Sequence, residues 1–293
     1  MAQPSLSGLP IFVLENLLKQ CTLPVLVDLA NCNKTLLSII RSLRFSPPTL
    51  DILVRDYHTV VSAEKSMWIL QNHDSLGNYP SCNPVADFDL GGVQVSVIRD
   101  DFYNQPLYQV FHDCHVKLAA HFLSHLKNLF PRSLKFNFRF ENLSEEISSK
   151  VVTLLPLTEA ETLDVDDLQL SKKALDKILE ALNVETFKKY SSRLTLKDLS
   201  RIIETFRSHE YQKLRYMSIG VYGLVPFPVV THPDRPKFFI TPEGERIDCT
   251  GGWDGARKDG TVYTVLLTPR DGSHLFHFMV WPRELVQGPV YRD

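Results

Sequence analysis

Little in this chain invites a reading as chemistry. Its five cysteines (Cys21, Cys32, Cys82, Cys114, Cys249) are an odd number, widely scattered, and no two form a C-x-x-C pair. A disulfide framework is thereby excluded as an expectation, and reduced thiols in the cytosol or nucleus fit best. Positive charge is not in excess: 32 Lys and Arg stand against 34 Asp and Glu, for a formal net charge of -2. There is no basic footprint for nucleic acid and no polybasic membrane anchor. No apolar run reaches the ~20 residues of a membrane span, because Glu15 interrupts the first one, and no positively charged segment precedes it. Neither insertion nor export is signalled. The glycine-rich stretch Thr250 to Gly255 lacks the Gly-Lys-Ser/Thr ending that cradles phosphate, and no G-x-S-x-G elbow occurs. The expectation is a non-enzyme without metal or cofactor.

What is present is an ordinary soluble composition, 44% hydrophobic and 23% charged over 293 residues, enough for one large or two smaller domains. The most informative stretch is Leu9 to Ile40. Of the eight residues Ile11 to Leu18, six are apolar. A surface helix needs only one apolar stripe, so the surplus calls for a second covered face, supplied by a partner. Punctuation divides the stretch into three short helices. Pro10 suits a helix start, Thr22 and Pro24 open a second helix, and Asn33 caps a third that runs to Leu43 before Pro47 and Pro48.

Leu9-Pro10, the apolar positions Val13, Leu14, Leu17 and Leu18, then Leu23, Leu26, Leu29 and a polar Asn33-Lys34 before Leu37 and Ile40 together resemble an F-box. The match runs about thirty residues without a gap and departs where Thr35 and Leu36 stand instead of a tryptophan after the basic residue of the third helix. The resemblance implies docking to a Skp-type adaptor, and through it to a cullin, by Leu9, Pro10, Val13, Leu14, Leu17, Leu23, Pro24, Leu26 and Leu29. A helical cap that completes the following domain is the plainer alternative.

Beyond the prolines, Leu50 to Val54, Met67 to Leu70 and the alternating Val93, Val95, Val97 read as strands, with a Gly, Asn and Pro-rich loop from Asn72 to Pro84 between them. A long core helix is expected from Pro106 to Leu129, with Val110, Phe111, Cys114, Leu118, Phe122 and Leu126 on one stripe. Its His112, Cys114, His115, His121 and His125 are zinc-ligand types, and His121 with His125 share a face. The cluster lacks a glutamate between the histidines and a second cysteine pair, so a partly buried helix face is the plainer reading and a metal-dependent hydrolase the remote one.

From there the chain repeats. Units starting at Leu143-Ser144, Leu170-Ser171 and Leu194-Thr195 lie 27 and 24 residues apart, and Leu175, Ile178, Leu179, Leu182 of the second superimpose on Leu199, Ile202, Ile203, Phe206 of the third. Each helix follows a short extended piece: Leu134 to Phe138, Leu163 to Val165, and Phe187 to Ser191; Leu214 to Ile219 is a fourth. Strand then helix at this period is the spacing of leucine-rich repeats, although their Asn or Cys ladder is not evident; a plain α/β layer is the alternative. After a proline-rich connection (Pro226 to Pro236), Phe238 to Ile240, Thr261 to Leu267 and Leu275 to Trp281 read as strands, with turns at Pro242 to Gly244, Asp259-Gly260 and Asp271-Gly272.

The run from Leu194 to Phe206, the following Lys213 to Ile219, the Arg257 to Gly260 turn and the closing Phe276 to Trp281 resemble the F-box-associated domain of the large nematode-type F-box families. The expected architecture is therefore mixed α/β: a three-helix F-box (5–46), a strand and helix segment (47–131), and an F-box-associated domain (132–293) made of a leucine-rich-repeat-like strand-helix array to about 223 and a C-terminal β cap. The resemblance implies a non-catalytic substrate-recognition subunit of a Skp-cullin-F-box ubiquitin ligase in the cytoplasm or nucleus, holding an unidentified target protein. A repeat-type interaction module outside any ligase is the alternative.

Overall fold

The structure is a computed structural model that describes residues 9–43, 49–63, 66–72, 86–89, 94–100, 107–130, 134–166, 184–192, 194, 196–208, 213–221, 235–270 and 273–286, with the backbone alone for 86–89 and 94–100. The Asn72 to Pro84 loop after its first residue, the second repeat helix (171–182), Thr195, Pro47, Pro48, Pro106 and Asp271-Gly272 lie outside those residues. The fold is mixed α/β and divides into two compact units, Met1–Phe136 with Thr153–Leu155, and Asn137–Val152 with Pro156–Asp293. No described helix is long and apolar enough to cross a membrane.

In the first unit, α1 (Ile11–Leu18), α2 (Leu23–Cys32) and α3 (Lys34–Ser42) follow one another closely. The Pro10 carbonyl accepts the amides of Val13 (2.9 Å) and Leu14 (3.1 Å), so α1 starts where proline costs no hydrogen bond. Asn33 Oδ1 accepts from the amides of Thr35 (2.8 Å) and Leu36 (3.3 Å), the side-chain cap expected of it. Thr22 holds the equivalent place before α2, but its hydroxyl makes no capping bond. There Pro24 in the first turn has already removed one orphan donor. α3 stops at Ser42, and Leu43 is already extended.

The sheet of this unit runs β1 (Thr49–Val54), β2 (His58–Ala63), β3 (Ser66–Asn72), β6 (Leu107–His112), β5 (Gln94–Asp100), β4 (Ala86–Asp89). β1, β2 and β3 form an antiparallel meander, β6 lies parallel to β3, and β5 and β4 return antiparallel. Leu50, Ile52, Val54, Val61, Trp68 and Leu70 alternate inward, the period of two that a half-covered sheet imposes. Above it lies α4 (His115–Leu129), with Trp68 and Phe122 rings 5.3 Å apart.

One expectation is corrected in this region. The helix does not begin at Pro106: Leu107–His112 is a strand, and α4 starts only at His115. Val110 and Phe111 match a helical stripe with Cys114 and Leu118, but the same six residues are rich in β-formers, and pairing with β3 decides the outcome. β2, whose His58–Ala63 sequence is too short and mixed to stand out, went unread.

In the second unit the strand order is β7 (Lys135–Glu141), β8 (Ala160–Asp166), β9 (Thr186–Ser192), β10 (Tyr216–Val221), β15 (Ser273–Val280), β14 (Val262–Arg270), β13 (Trp253–Ala256). β8, β9 and β10 are parallel, so Thr162, Thr186 and Tyr216 stand in one row. Crossovers between parallel strands need intervening helices. α5 (Glu145–Leu154) follows β7, and α6 (Leu196–Arg207) links β9 to β10. Ser144 starts α5 with its side-chain oxygen 3.4 Å from the Ile147 amide. The antiparallel β15, β14 and β13 continue the same sheet from β10. β15 thereby takes the edge of β10 that the parallel strands leave open.

β10 is buried at all six positions, and Phe276 to Met279 of β15 are buried in succession, as strands covered on both faces must be. One cover is α6, whose Phe206 meets Tyr263 (5.5 Å) and Phe278 (4.9 Å) edge-on. The other is a small ribbon, β11 (Phe238–Ile240) with β12 (Arg246–Asp248), which sends Phe239 and Ile247 into a cluster with Tyr216, Cys249, Met279 and Trp281.

Candidate functional site

The nine residues that the F-box resemblance nominates do not share one environment. Leu14 (2% exposed), Leu26 (4%) and Leu23 are buried, whereas Val13 and Leu29 are half-buried and Leu9, Pro10 and Leu17 are exposed. The side chain of Pro24 lies outside the described residues. Leu18, Leu36 and Ile40 are buried with them, and α2 packs against α3 while both touch α4. Arg41 of α3 adds a bond from its Nε to the Asn128 carbonyl at the end of α4 (3.0 Å). The module therefore rests on a base inside its own unit.

The apolar surplus appears elsewhere. Ile11 is 63% exposed, Phe12 65%, and Val25 is exposed as well. Leu9, Pro10 and Leu17 are exposed too, so apolar side chains meet solvent at the start of α1 and along α1 and α2. Ile11, Phe12 and Val25 were absent from the nominated set. The signal that could have found them is the surplus itself: once Leu14 and Leu18 are assigned inward, the remaining apolar residues of α1 must point elsewhere. Cys21, just after α1, bonds back to the Leu17 carbonyl (3.4 Å), and burial pushes its thiol pKa up, which disfavours the reactive thiolate.

The histidine and cysteine residues of the metal alternative are dispersed. His115 is fully buried, with Nε2 3.1 Å from the Asp56 carbonyl and Nδ1 2.9 Å from the Thr59 hydroxyl. A carbonyl can only accept, so the proton sits on Nε2 and, in the neutral ring, Nδ1 accepts from Thr59. Both nitrogens fasten the β1–β2 turn to the start of α4. Cys114 precedes the helix, and His121 and His125 lie farther along it. The side chain of His112 lies outside the described residues. Among the described residues no three of His, Cys, Asp or Glu come close enough to hold a metal ion.

The second unit holds two buried polar chains. Arg235 Nε donates to Asp254 Oδ2 at 2.6 Å, Asp254 Oδ1 accepts from the Thr264 hydroxyl at 2.5 Å, and Thr264 Oγ1 accepts from Trp281 Nε1 at 2.7 Å. Arg235 also donates to the carbonyls of Pro236 and Cys249, both at 3.2 Å. His277 lies between the Tyr216 hydroxyl and the Thr268 hydroxyl, each at 3.0 Å. Burial lowers its pKa to about 4, so the ring is neutral at pH 7, one nitrogen donating and the other accepting. Cys249, packed under the ribbon, has its thiol raised to about 11, again by burial. These groups join β10, β13, β14 and β15 and are directed at one another.

The glycine-rich stretch Thr250 to Gly255 also has a packing explanation. Gly251 adopts φ 85°, and a Cβ at Gly255 would lie 2.5 Å from the Tyr263 ring, so only glycine lets β13 lie against that aromatic. The chain matches no family model, no curated protein and no solved structure.

Proposed function

We propose that this chain is the substrate-receptor subunit of a Skp-cullin-F-box ubiquitin ligase. The observation that carries the reading is the set of exposed apolar residues on and just before α1 and α2 (Leu9, Pro10, Ile11, Phe12, Leu17, Val25), in a three-helix module that already buries Leu14, Leu18, Leu26, Leu36 and Ile40. An aromatic and aliphatic set of this kind matches the anchors that dominate protein interfaces. In this reading 5–46 is the F-box, 47–131 its support, and 132–293 an F-box-associated domain whose parallel strand-helix units form a short leucine-rich-repeat-like array. The module binds a Skp-type adaptor and through it a cullin; the second unit holds the target. The mechanism is proximity: placing a target lysine beside a charged conjugating enzyme supplies the rate advantage without a reacting group in this chain. The cytoplasm or nucleus is the matching compartment, and Cys21, Cys32, Cys114 and Cys249 form no disulfide.

Co-expression of the full chain with a Skp-type adaptor tests this. The wild type should co-purify with the adaptor, and a Leu9→Ala/Pro10→Ala double variant should recover less. Equal, background-level recovery by both proteins defeats the proposal and leaves an interaction module outside any ligase.

A further inference from the structure

The ribbon β11–β12 lies on the outside of the second unit, with Phe239 and Ile247 turned into the core. A ribbon covered on one side is expected to be polar on the other. Here the alternate residues of β11 are Phe238 and Ile240, and Ile240 is 58% exposed. Opposite Ile240 in register stands Arg246, whose guanidinium reaches across to lie 3.6 Å from the centre of the Phe238 ring. Lys237 approaches the same ring at 5.2 Å.

The charges around the ribbon are not equally committed. Lys237 has Asp248 at 3.6 Å, and Glu243 has Lys188 at 3.5 Å. Among the described residues Arg246 makes no ion pair; its guanidinium lies against the Phe238 ring. Glu245 and Asp248 keep the surrounding surface close to neutral, so any recognition of an anion must come from the guanidinium itself. Contact with the ring at 3.6 Å holds the guanidinium at this spot, where it can meet a carboxylate with two parallel N–H donors.

The backbone adds a direction. Thr241 N bonds to Glu245 O (2.8 Å) and Cys249 N to Lys237 O (2.9 Å), with Phe239 opposite Ile247 between them. In an antiparallel ladder the groups of the intervening residues, Phe238 and Ile240, then point away from β12. β11 pairs with no other described strand. An open strand edge is a template for an added chain.

We propose that the outer edge of β11 receives an extended segment of the target protein as a third strand, carrying an Asp or Glu that pairs with Arg246 and, two residues away, an apolar side chain against Ile240. The two-residue offset follows from strand geometry, since alternate side chains share a face. The occupant's identity as a target rests on the ligase reading above; the edge and its side-chain preference do not.

A random ten-residue peptide display library selected against the full chain supplies the test. Enriched sequences should place an acidic residue two positions from Val, Ile, Leu or Phe. A synthetic peptide of the enriched sequence should bind Arg246→Ala about tenfold or more weakly, and its own Glu→Gln version should lose a similar factor on the wild type. Ile240→Asp should abolish binding, with circular dichroism unchanged because both side chains are exposed. Enrichment of peptides without the acid, equal binding by Arg246→Ala, or no enrichment would each overturn the proposal. Adaptor recovery by Arg246→Ala is measured alongside: failure of the wild type to hold adaptor sinks the ligase reading alone and leaves the peptide result standing.

Discussion

Cutting the buried Arg235–Asp254 pair should be one of the most damaging changes available in the second unit. Both side chains are nearly removed from solvent, 3% and 4% exposed, and each is also bonded to neutral partners. Asp254→Ala leaves a guanidinium in the interior without its counter-charge, a loss of about 3–5 kcal/mol. Arg235→Met strands the carboxylate at comparable cost. Removing both leaves only neutral groups short of a partner, the Pro236 carbonyl and the Thr264 hydroxyl, while the Cys249 carbonyl keeps the Gly252 amide (3.0 Å), so the double variant should be less destabilised than the two single effects combined, by roughly 2–4 kcal/mol. Urea unfolding followed by near-ultraviolet circular dichroism is the assay, since Trp253 and Trp281 lie in this region. With a slope of about 2 kcal/mol/M, a 4 kcal/mol loss lowers the midpoint by about 2 M. The single-variant deficit should persist in added salt, because a buried pair is little screened. Additive losses in the double variant, to within about 0.5 kcal/mol, would refute the view that these charges meet in a low-dielectric interior.

Acid should weaken the fold through His277. Its folded pKa of about 4 lies below the ordinary 6.5, so the unfolded chain takes up the proton first as pH falls. Its contribution is complete above about pH 6.5 and lost between 6.5 and 4, by about 3 kcal/mol at most; His277→Gln should flatten that limb of a urea midpoint against pH profile. Asn33→Ala removes the acceptor for two amides of α3 and should cost about 1 kcal/mol in the same unfolding measurement. In the first unit, Leu18→Ala should lose about 2–5 kcal/mol, whereas Phe12→Asp, on a side chain 65% exposed, should shift thermal unfolding by less than about 0.5 kcal/mol.

The legible parts of the fold were those where local pattern and tertiary setting agree. Three helices between Leu9 and Leu43 followed from Pro10, Pro24 and Asn33. The strands at Leu50 to Val54, Leu134 to Phe138 and Leu275 to Trp281 showed through their β-formers, and Gly244 and Gly260, at φ 89° and 83°, occupy turns that their neighbours had marked. Failures came where a residue satisfied two periods at once. Val110 and Phe111 are spaced for a helix with Cys114, yet strand pairing with Leu70 and Gln71 captures them. The exposure of individual apolar residues on α1 and α2 was hard to read for a related reason. Helical spacing reveals which residues share a face, but not which face the rest of the unit covers. Only tertiary packing decides that Leu14 and Leu26 go inward while Ile11, Phe12 and Val25 stay out. The polar chain through Arg235, Asp254, Thr264 and Trp281 had no sequence signal, because its members are separated by turns and meet only when the strands are in register.

Calorimetric titration of the purified full chain with a purified Skp-type adaptor bears most directly on the proposed role of the three-helix module. One-to-one binding is the predicted result, weakened about thirtyfold or more by Phe12→Asp, an anchor worth about 2 kcal/mol, and left intact by Arg246→Ala in the second unit. Absence of binding by the wild type, or equal binding by wild type and Phe12→Asp, contradicts it.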